Sequence, residues 1–380
     1  MTHIRRRDLL GVCGGAWLAG SARGAAAARV SVVRCPSYSG DVLAAVGGLF
    51  DQLGGVDRLA AGKTVAIKID MSGSVRARNG FTPAWFTHWT HPAVIAAVAH
   101  HLSKAGAKRI RILESSQEND HPLEDNFLLG GWDPDQILKA APNVEMENTG
   151  AMGGAHSYAR LNVAGGGLIY PGFDFNHSYA ECDVMVSLAK MKQSPDTGVA
   201  LTMKNMLNAA PGTIYGDAAG FDGPSAKPFG ALSMFRIGNR QPSSGSPPER
   251  DPESSRDPGY RLPRVNVDIL RARPVHLAIV DGVETQTELE APAEEGSALA
   301  PAHVRPGVLM AGFSPVSTDA IAMQAMGFDP MARRGQDPFL TCDNTLELAE
   351  AAGLGVRDPG KIEVAGARVD TIRFPFRGRR

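Results

Sequence analysis

Three lysines and an asparagine fall within one otherwise apolar stretch of the chain, residues 182–206. They are Lys190, Lys192, Lys204 and Asn205, and the first two directly follow an apolar run that predicts a buried strand. Burying a lysine is unfavourable unless its charge is paired or used. The stretch therefore predicts an anion-binding or catalytic site, in which ammonium groups bind a carboxylate or phosphate or stabilise developing negative charge.

Charged side chains also stand where several other predicted strands end. They are Lys68, Asp70, Glu114 and Asp281. In open parallel α/β sheets, ligands bind in the crevice outside the carboxyl ends of the strands. If these strands belong to one sheet, we expect the charges to meet in one crevice. A buried lysine there could also act as a base or form a Schiff base.

His91 directly precedes a predicted helix, within the sequence Thr90-His91-Pro92. One interpretation is structural, because Thr90 or His91 could cap the helix with Pro92 in its first turn. The other is chemical, because an imidazole at a helix N-terminus can carry a proton or bind a ligand where anions also bind. Glu114 is the second candidate for moving a proton.

The sequence contains no established cofactor motif. The four cysteines are too widely spaced for an iron–sulfur cluster or a zinc ribbon, so neither is expected. No Walker loop, GxGxxG or HExxH pattern is present, and no serine lies in a GxSxG context. A divalent metal remains an open alternative, because hard cations bind carboxylates and imidazole.

Composition places the chain among ordinary globular proteins. Of its 380 residues, 43% are hydrophobic and 21% are charged, and the formal net charge is −1. This length accommodates one large domain or two medium ones. With no basic excess and only 6% aromatic residues, nucleic acid is not an expected partner.

Residues 1–28 have the composition of an export signal. Three arginines, Arg5 to Arg7, precede Asp-Leu-Leu, a short weakly apolar run and four alanines at 25–28. This arrangement is typical of a twin-arginine signal peptide, and its apolar run is too short and too rich in glycine to span a membrane stably. We therefore expect a periplasmic or otherwise exported protein that uses the twin-arginine translocation machinery. A basic start on a cytosolic protein is the alternative.

Hydrophobic periodicity predicts strands and helices that alternate along the chain. Strands at 64–69 and 109–113 flank a helical pattern at 92–104, which is typical of a βαβ unit with parallel strands. The expected fold is therefore α/β, with a mostly parallel sheet or sheets flanked by helices in Rossmann-like layers.

The domain organisation follows from the same patterns. Residues 29–380 are expected to form one α/β domain or two lobes, 29–180 and 181–380. Residues 212–264 are crowded with glycine, proline and serine and lack regular periodicity. They predict a long, irregular and loosely ordered insertion.

Several of these segments together resemble the domain of unknown function 362 (DUF362) family. In chain order they are VAIKID at 65–70, THP at 90–92, ILES at 112–115, CDVMVSLAKMK at 182–192, LTMKNM at 201–206, IVDG at 279–282 and STDAIAMQAMG at 317–327. The resemblance spans residues 63–355 and depends on the order and spacing of the motifs. It implies an α/β fold of parallel strands but no reaction, because the family as a whole has no agreed activity.

The resemblance also implies a shared site. Carried onto this sequence, it implies that His91, Glu114, Lys190, Lys192 and Lys204 shape this site, and our hypothesis gives them catalytic roles. Lys68, Asp70, Asp183, Asn205, Asp281 and Asp319 are carried over in the same way, and our hypothesis gives them substrate-binding roles. Asp183, which opens its strand, and Asp319, on a predicted helix, have structural alternatives as a pairing partner or a cap. Many relatives carry a ferredoxin-like cysteine cluster that this chain lacks, and Gln193 stands where relatives often have histidine.

The leading hypothesis is an exported enzyme that acts on a small anionic substrate at a lysine-rich crevice. One alternative is a non-catalytic periplasmic protein that binds a ligand or metal. The other is a redox protein that carries a cofactor, because twin-arginine export transports folded proteins that often hold one already.

Overall fold

The computed structural model describes residues 28–73, 75, 82–115, 123–154, 156–225, 230, 232–288 and 301–376. The predicted signal peptide therefore lies outside the described residues except for Ala28, which starts the first strand. No helix in the described part of the chain is long and apolar enough to cross a membrane.

The described strands form one large sheet and three two-stranded sheets. In chain order they are β1 (Ala28–Arg34), β2 (Thr64–Lys68), β3 (Arg109–Glu114), β4 (Val144–Asn148), β5 (Ala159–Asn162), β6 (Gly172–Phe175), β7 (Val184–Lys190), β8 (Lys192–Ser194), β9 (Gly198–Ala200), β10 (Leu277–Gly282), β11 (Thr285–Glu288), β12 (Pro301–Val304), β13 (Val308–Gly312) and β14 (Ile362–Gly366). The large sheet has eight strands in the order β14-β1-β13-β10-β7-β2-β3-β4. Within it, β13 runs antiparallel to both neighbours and the other pairings are parallel.

Helices cover both faces of the large sheet. In chain order they are α1 (Val42–Gln52), α2 (Asp57–Ala60), α3 (Ala84–Thr87), α4 (Pro92–Lys104), α5 (Leu123–Gly130), α6 (Asp135–Leu138), α7 (His177–Glu181), α8 (Thr202–Asn205), α9 (Gly212–Tyr215), α10 (Ser233–Ile237), α11 (Pro258–Ala272), α12 (Pro315–Ala325), α13 (Thr345–Ala351) and α14 (Val369–Ile372). Helices α1 and α4 pack in one core, and α11 and α12 pack in the other. The predicted class, an α/β fold with a mostly parallel sheet, is confirmed.

Alternate residues of the central strands enter opposite cores. On β7, Val186 packs in the core that contains α1 and α4, whereas Met185 packs in the core that contains α11 and α12. On β10, Ile279 and Val280 divide in the same way. Strands that are buried on both faces have continuous apolar sequences. Such runs are the strongest strand signal in this chain.

Strand β2, helix α4 and strand β3 form the predicted βαβ unit. Helix α4 spans the predicted residues and buries Val94, Ile95 and Val98. His91 is its N-cap residue, and Pro92 occupies the first turn, where the helix needs no backbone N–H from it. Thus His91 and Pro92 fix where α4 begins.

The described part of residues 212–264 combines short helices and a buried ion-pair cluster with irregular, largely exposed stretches. It contains α9, α10 and the start of α11. Arg256 and Arg261 lie 2.8 and 2.9 Å from carboxylate oxygens of Glu249, and the side chains of Arg261 and Glu249 are fully buried. Paired charges can be buried where apolar side chains are scarce. An ion-pair cluster therefore orders this segment, and hydrophobic periodicity does not detect such a cluster.

Both halves of the chain contribute neighbouring strands to the large sheet. Strands β2 and β3 come from residues 29–180, and β7 and β10 come from residues 181–380. Strand β2 pairs with β7 in parallel, so the two halves join at the centre of the sheet. Their strand ends therefore meet at a single edge.

Candidate functional site

Most of the predicted site residues lie at one edge of the large sheet, which we call the carboxyl edge. Six of them stand at or just beyond the ends of β2, β3, β7 and β10, namely Lys68, Asp70, Glu114, Lys190, Lys192 and Asp281. These strands are neighbours in the order β10-β7-β2-β3, so the six side chains form a row along the edge. Within the row, each lysine is paired with one carboxylate.

The first pair joins Lys68 and Glu114. Lys68 Nζ lies 2.6 Å from Glu114 Oε1 and donates a hydrogen bond of 3.1 Å to Asn205 Oδ1. The backbone N–H groups of Met71 and Ser115 also donate to the Glu114 carboxylate. Burial raises the pKa of Glu114, and the Lys68 ammonium partly offsets this effect. Glu114 is only 1% exposed, so its carboxylate holds the pair together without meeting solvent.

The second pair joins Lys192 and Asp70. Lys192 Nζ lies 3.0 Å from Asp70 Oδ2 and donates to Ser72 Oγ and to the backbone carbonyl of His88, both at 2.8 Å. Burial alone would raise the pKa of Asp70, but the ammonium groups of Lys192 and Lys68 outweigh it and lower the pKa to about 2. Asp70 therefore stays ionised and compensates the charge of Lys192.

The third pair joins Lys190 and Asp281 and includes Tyr38. Lys190 Nζ lies 3.0 Å from Asp281 Oδ2 and donates to the Tyr38 hydroxyl at 2.7 Å. That hydroxyl in turn donates to Asp281 Oδ1 at 2.6 Å. Burial lowers the pKa of Lys190 against the opposing effect of Asp281. Burial and then the Asp281 charge raise the pKa of Tyr38, so the phenol keeps its proton.

His91 lies against this third pair. Its backbone N–H donates to Asp281 Oδ2 at 3.0 Å, and its ring stacks on the Tyr38 ring with centroids 3.6 Å apart. His91 Nδ1 accepts a hydrogen bond from the backbone N–H of Ala93, so the proton of the neutral ring is on Nε2. Burial and the Lys190 charge lower the pKa of His91 to about 3. His91 is therefore a neutral hydrogen-bond donor near pH 7.

A cleft of about 700 Å³ opens beside His91 at the carboxyl edge. Its walls come from the segment after β1, from α3 and from the hairpin of β11 and β12. The side chains that bear on its chemistry are Tyr38, Phe86, His91, Glu284, His303 and Arg305. The volume lies in the range of small-molecule sites.

Sequence reasoning misses three polar residues of this cleft, Glu284, His303 and Arg305. His303 Nε2 lies 2.8 Å from Glu284 Oε2, and Arg305 Nε lies 3.2 Å from the same oxygen. Glu284 could have been found as the next acidic residue after Asp281, just past the end of β10. His303 and Arg305 gave no such signal, because β12 is short and lacks apolar periodicity.

Asp183 does not join the carboxyl edge. It precedes the first residue of β7 and is exposed, and its Oδ2 accepts a hydrogen bond from the backbone N–H of Thr64. Thr64 is the first residue of β2, so both residues mark the opposite edge of the sheet. Asp183 and Lys190 belong to one motif, but the length of a strand separates them. The structure therefore supports the pairing alternative for Asp183.

Asp319 acts on α8 from its position on α12. Its carboxylate accepts hydrogen bonds from the backbone N–H groups of Thr202 and Met203, which open α8. Burial raises the pKa of Asp319 to about 7 against these hydrogen bonds. Helix α8 carries Lys204, which is half-buried, and Asn205, which belongs to the first pair. Asp319 therefore positions the helix that supplies Asn205.

The described residues offer no cluster suited to a metal. They contain no group of three or more His, Cys, Asp or Glu placed to hold a metal ion. The three cysteines among them are each buried and free of disulfide bonds. Asp70, Glu114 and Asp281 each face a different lysine ammonium, which takes the place a cation would need. The open metal alternative finds no support among these groups.

The sheet, its ion-paired edge and the adjoining cleft define an α/β protein with a cleft at the carboxyl ends of its strands. Residues 65–324 match the family model described as domain of unknown function (DUF362), so the chain belongs to this family. No curated protein matches the sequence. A solved structure of a protein from Thermotoga maritima is similar over 84% of this chain, with 12% identity and a TM-score of 0.38. The match covers 60% of that protein, so this chain spans less than two thirds of its length.

Replacing Lys68 by methionine tests whether the first ion pair is structural. We expect Lys68→Met to lower the free energy of unfolding by about 3–5 kcal/mol, because Glu114 is left as a buried and unpaired charge. The double variant Lys68→Met/Glu114→Leu should recover only part of this loss, because no uncompensated charge remains but the N–H groups of Met71 and Ser115 lose their acceptor. Denaturant unfolding followed by circular dichroism measures both effects.

The matched control for this comparison is Lys139→Met. Lys139 pairs with Asp135 on the surface, and exposed pairs contribute little to stability. We expect its unfolding midpoint to stay close to that of the wild type. A Lys68→Met variant as stable as the control would contradict a structural role for the first pair.

Nuclear magnetic resonance can test the protonation state of His91. We expect its imidazole to stay neutral with the proton on Nε2 from about pH 8 to about pH 4, because its pKa is lowered to about 3. Imidazole nitrogen chemical shifts report both properties. The same protein unfolded in urea is the control, because histidine then titrates near about pH 6.5.

The same shift predicts a pH dependence of stability. Below about pH 6.5 the unfolded chain binds a proton at His91 that the folded protein does not. The contribution of His91 to the free energy of unfolding therefore decreases as the pH is lowered from about 6.5. A folded His91 ring that gains its second proton between about pH 6 and 7 would contradict both expectations.

Proposed function

We propose that this protein is an enzyme that acts on a small anionic molecule in the cleft beside His91. The observation that carries the proposal is the convergence of a neutral donor, His91, and a cationic side chain, Arg305, on one cleft. The cleft lies at the carboxyl ends of parallel strands, where α/β proteins bind their ligands. A few convergent polar groups in a cleft of this size are typical of a small-molecule site.

Arg305 is the group that binds the anion in this proposal. Its side chain is 69% exposed, and its Nε pairs with Glu284 while its two Nη nitrogens meet no carboxylate in the described ranges. A guanidinium can hold a carboxylate or phosphate through two parallel hydrogen bonds. Arg305 thus takes the role that the sequence predicts for the lysines.

The three paired lysines support the site in a different way. Their carboxylate partners already compensate their charges, so they hold the carboxyl edge together. Burial, and after it the charge of Lys190, lower the pKa of His91, so the imidazole is neutral near pH 7. The anion therefore binds beside the row of lysines and not within it.

Catalysis is proposed because the cleft contains two imidazoles in unlike surroundings. His91 is capped at Nδ1 and lies near an ammonium, whereas His303 lies near the carboxylate of Glu284. Unlike environments for two titratable groups are typical of acid–base sites. Saturable binding of the anion without turnover would instead indicate a non-catalytic binding protein.

Removing the guanidinium tests the proposed anion site. We expect the wild type to bind pyruvate, malonate or inorganic phosphate in titration calorimetry, and Arg305→Gln to weaken binding about tenfold or more, because a charge-assisted hydrogen bond is lost. Arg236→Gln is the control, since Arg236 pairs with Asp196 on the surface. Equal affinity of the two variants would reject Arg305 as the anion-binding group.

We also propose that residues 1–28 direct export through the twin-arginine route. The arginine run, the short apolar run and the alanines at 25–28 support this proposal. The first strand begins at Ala28, so cleavage at the end of the signal would remove one residue of β1 and keep Arg29–Arg34 in the large sheet. The mature protein would then work in the periplasm or outside the cell.

Changing the arginine pair tests the export route. We expect Arg6→Lys/Arg7→Lys to leave the precursor in the cytoplasm of the native host, because the twin-arginine machinery reads this pair. Cell fractionation locates the protein, and mass spectrometry of the exported form gives the cleavage position and any retained small molecule. Arg23→Lys, in the same segment, should be exported normally. Export that is equal in both variants would contradict the proposal.

A further inference from the structure

One wall of the cleft presents a hydrogen-bond donor that keeps its proton. His91 Nδ1 is occupied by the backbone N–H of Ala93, so Nε2 carries the ring proton, and no residue in the described ranges accepts a hydrogen bond from it. Stacking on Tyr38 fixes the ring plane. A neutral imidazole in such a position can stabilise negative charge that develops on a carbonyl oxygen.

The hairpin of β11 and β12 presents a second imidazole to the same cleft. His303 Nε2 is buried and lies at ion-pair distance, 2.8 Å, from Glu284 Oε2, without the alignment of a hydrogen bond. With the ring proton on Nε2, next to this carboxylate, Nδ1 has the free lone pair. An imidazole held beside a carboxylate is a common general base.

Phe86 packs near both imidazoles in the cleft. Its ring centroid lies 5.3 Å from that of His91 and 6.4 Å from that of His303. Arg305 follows His303 by two residues on the same hairpin and also lines the cleft. A molecule that rests against Phe86 can therefore meet an oxyanion donor, a base and an anion-binding group together.

Building on the proposed function, we propose that the cleft takes a 2-oxo carboxylate and removes a proton from the carbon next to its carbonyl. His303 Nδ1 takes the proton, the C–H electron pair forms the new C=C bond, and the carbonyl π electrons move to the oxygen. His91 Nε2–H donates to the enolate oxygen, while Arg305 binds the carboxylate. Return of the proton to carbon completes an exchange or an isomerisation, which needs no oxidant and no second reactant.

Hydrogen exchange in D2O tests this reaction directly. The protein is incubated with pyruvate, 2-oxobutanoate or 2-oxoglutarate, and proton resonance follows the loss of the C3–H signals against a buffer blank. We expect faster exchange than the blank for at least one of these acids. His303→Gln should slow the exchange about 100-fold or more and leave binding in calorimetry within a few-fold of the wild type.

A second variant tests the oxyanion donor. His91→Asn can still cap α4 through its side-chain oxygen, but its shorter side chain removes the Nε2–H donor. We expect it to slow exchange about 100-fold. The control is His177→Gln, because His177 lies near Glu147 and Glu181 outside the cleft and should exchange at the wild-type rate. Circular dichroism confirms that each variant is folded.

The outcomes separate this inference from the proposed function. Binding of the three acids without catalysed exchange would overturn the inference and leave the anion site standing. Failure of the wild type to bind any small anion would overturn both. Exchange that survives at the wild-type rate in His303→Gln would overturn the assignment of the base.

Discussion

Charge compensation at the carboxyl edge is the constraint on which the rest of this structure depends. Each ion pair joins two neighbouring strands or the residues just beyond them. Lys190 and Asp281 join β7 to β10, Lys192 and Asp70 join the ends of β7 and β2, and Lys68 and Glu114 join β2 to β3. A buried charge without its partner is strongly unfavourable, so the correct strand order is the one that satisfies all six groups.

The same compensation determines the chemistry of the adjoining cleft. Asp281 receives hydrogen bonds from Lys190, Tyr38 and the backbone of His91, so one carboxylate fixes the ammonium, the phenol and the imidazole. Burial lowers the pKa of His91, and the charge of Lys190, which is buried for structural reasons, lowers it further. A buried ion pair is weak evidence for stability by itself. Here its clear consequence is the protonation state of a residue that lines the cleft.

Local sequence predicts the elements of this fold better than it predicts their contacts. The apolar runs of β2, β7 and β10 and the periodicity of α4 are properties of short segments, and the structure has them where the sequence places them. The match between each lysine and its carboxylate depends on strand order, which no single segment contains. The sequence therefore predicts that charges meet at one edge but not that they neutralise each other in pairs.

Two other features of the structure are not predicted by the local sequence. Helix α11 begins inside a segment rich in proline and serine and contains Pro263, so composition hides it, although Asp257 caps it, Pro258 opens it and it packs in a core. Asp183 and Lys190 lie in one motif, yet a strand advances about 3.3 Å per residue, so they mark opposite edges of the sheet. Proximity in sequence along a strand is thus poor evidence for proximity in space.

The reversed direction of β13 has a consequence for how this scaffold can diversify. Val308, where β13 starts, is the partner of Gly282, where β10 ends, so the chain leaves the sheet and re-enters it at adjacent points. The described residues between these points, 283–288 and 301–307, include His303 and Arg305 and lie outside the large sheet. The length and side chains of this segment can change without shifting the register of any strand. Proteins built on this frame could therefore acquire new ligands by exchanging this segment and keeping the rest of the molecule.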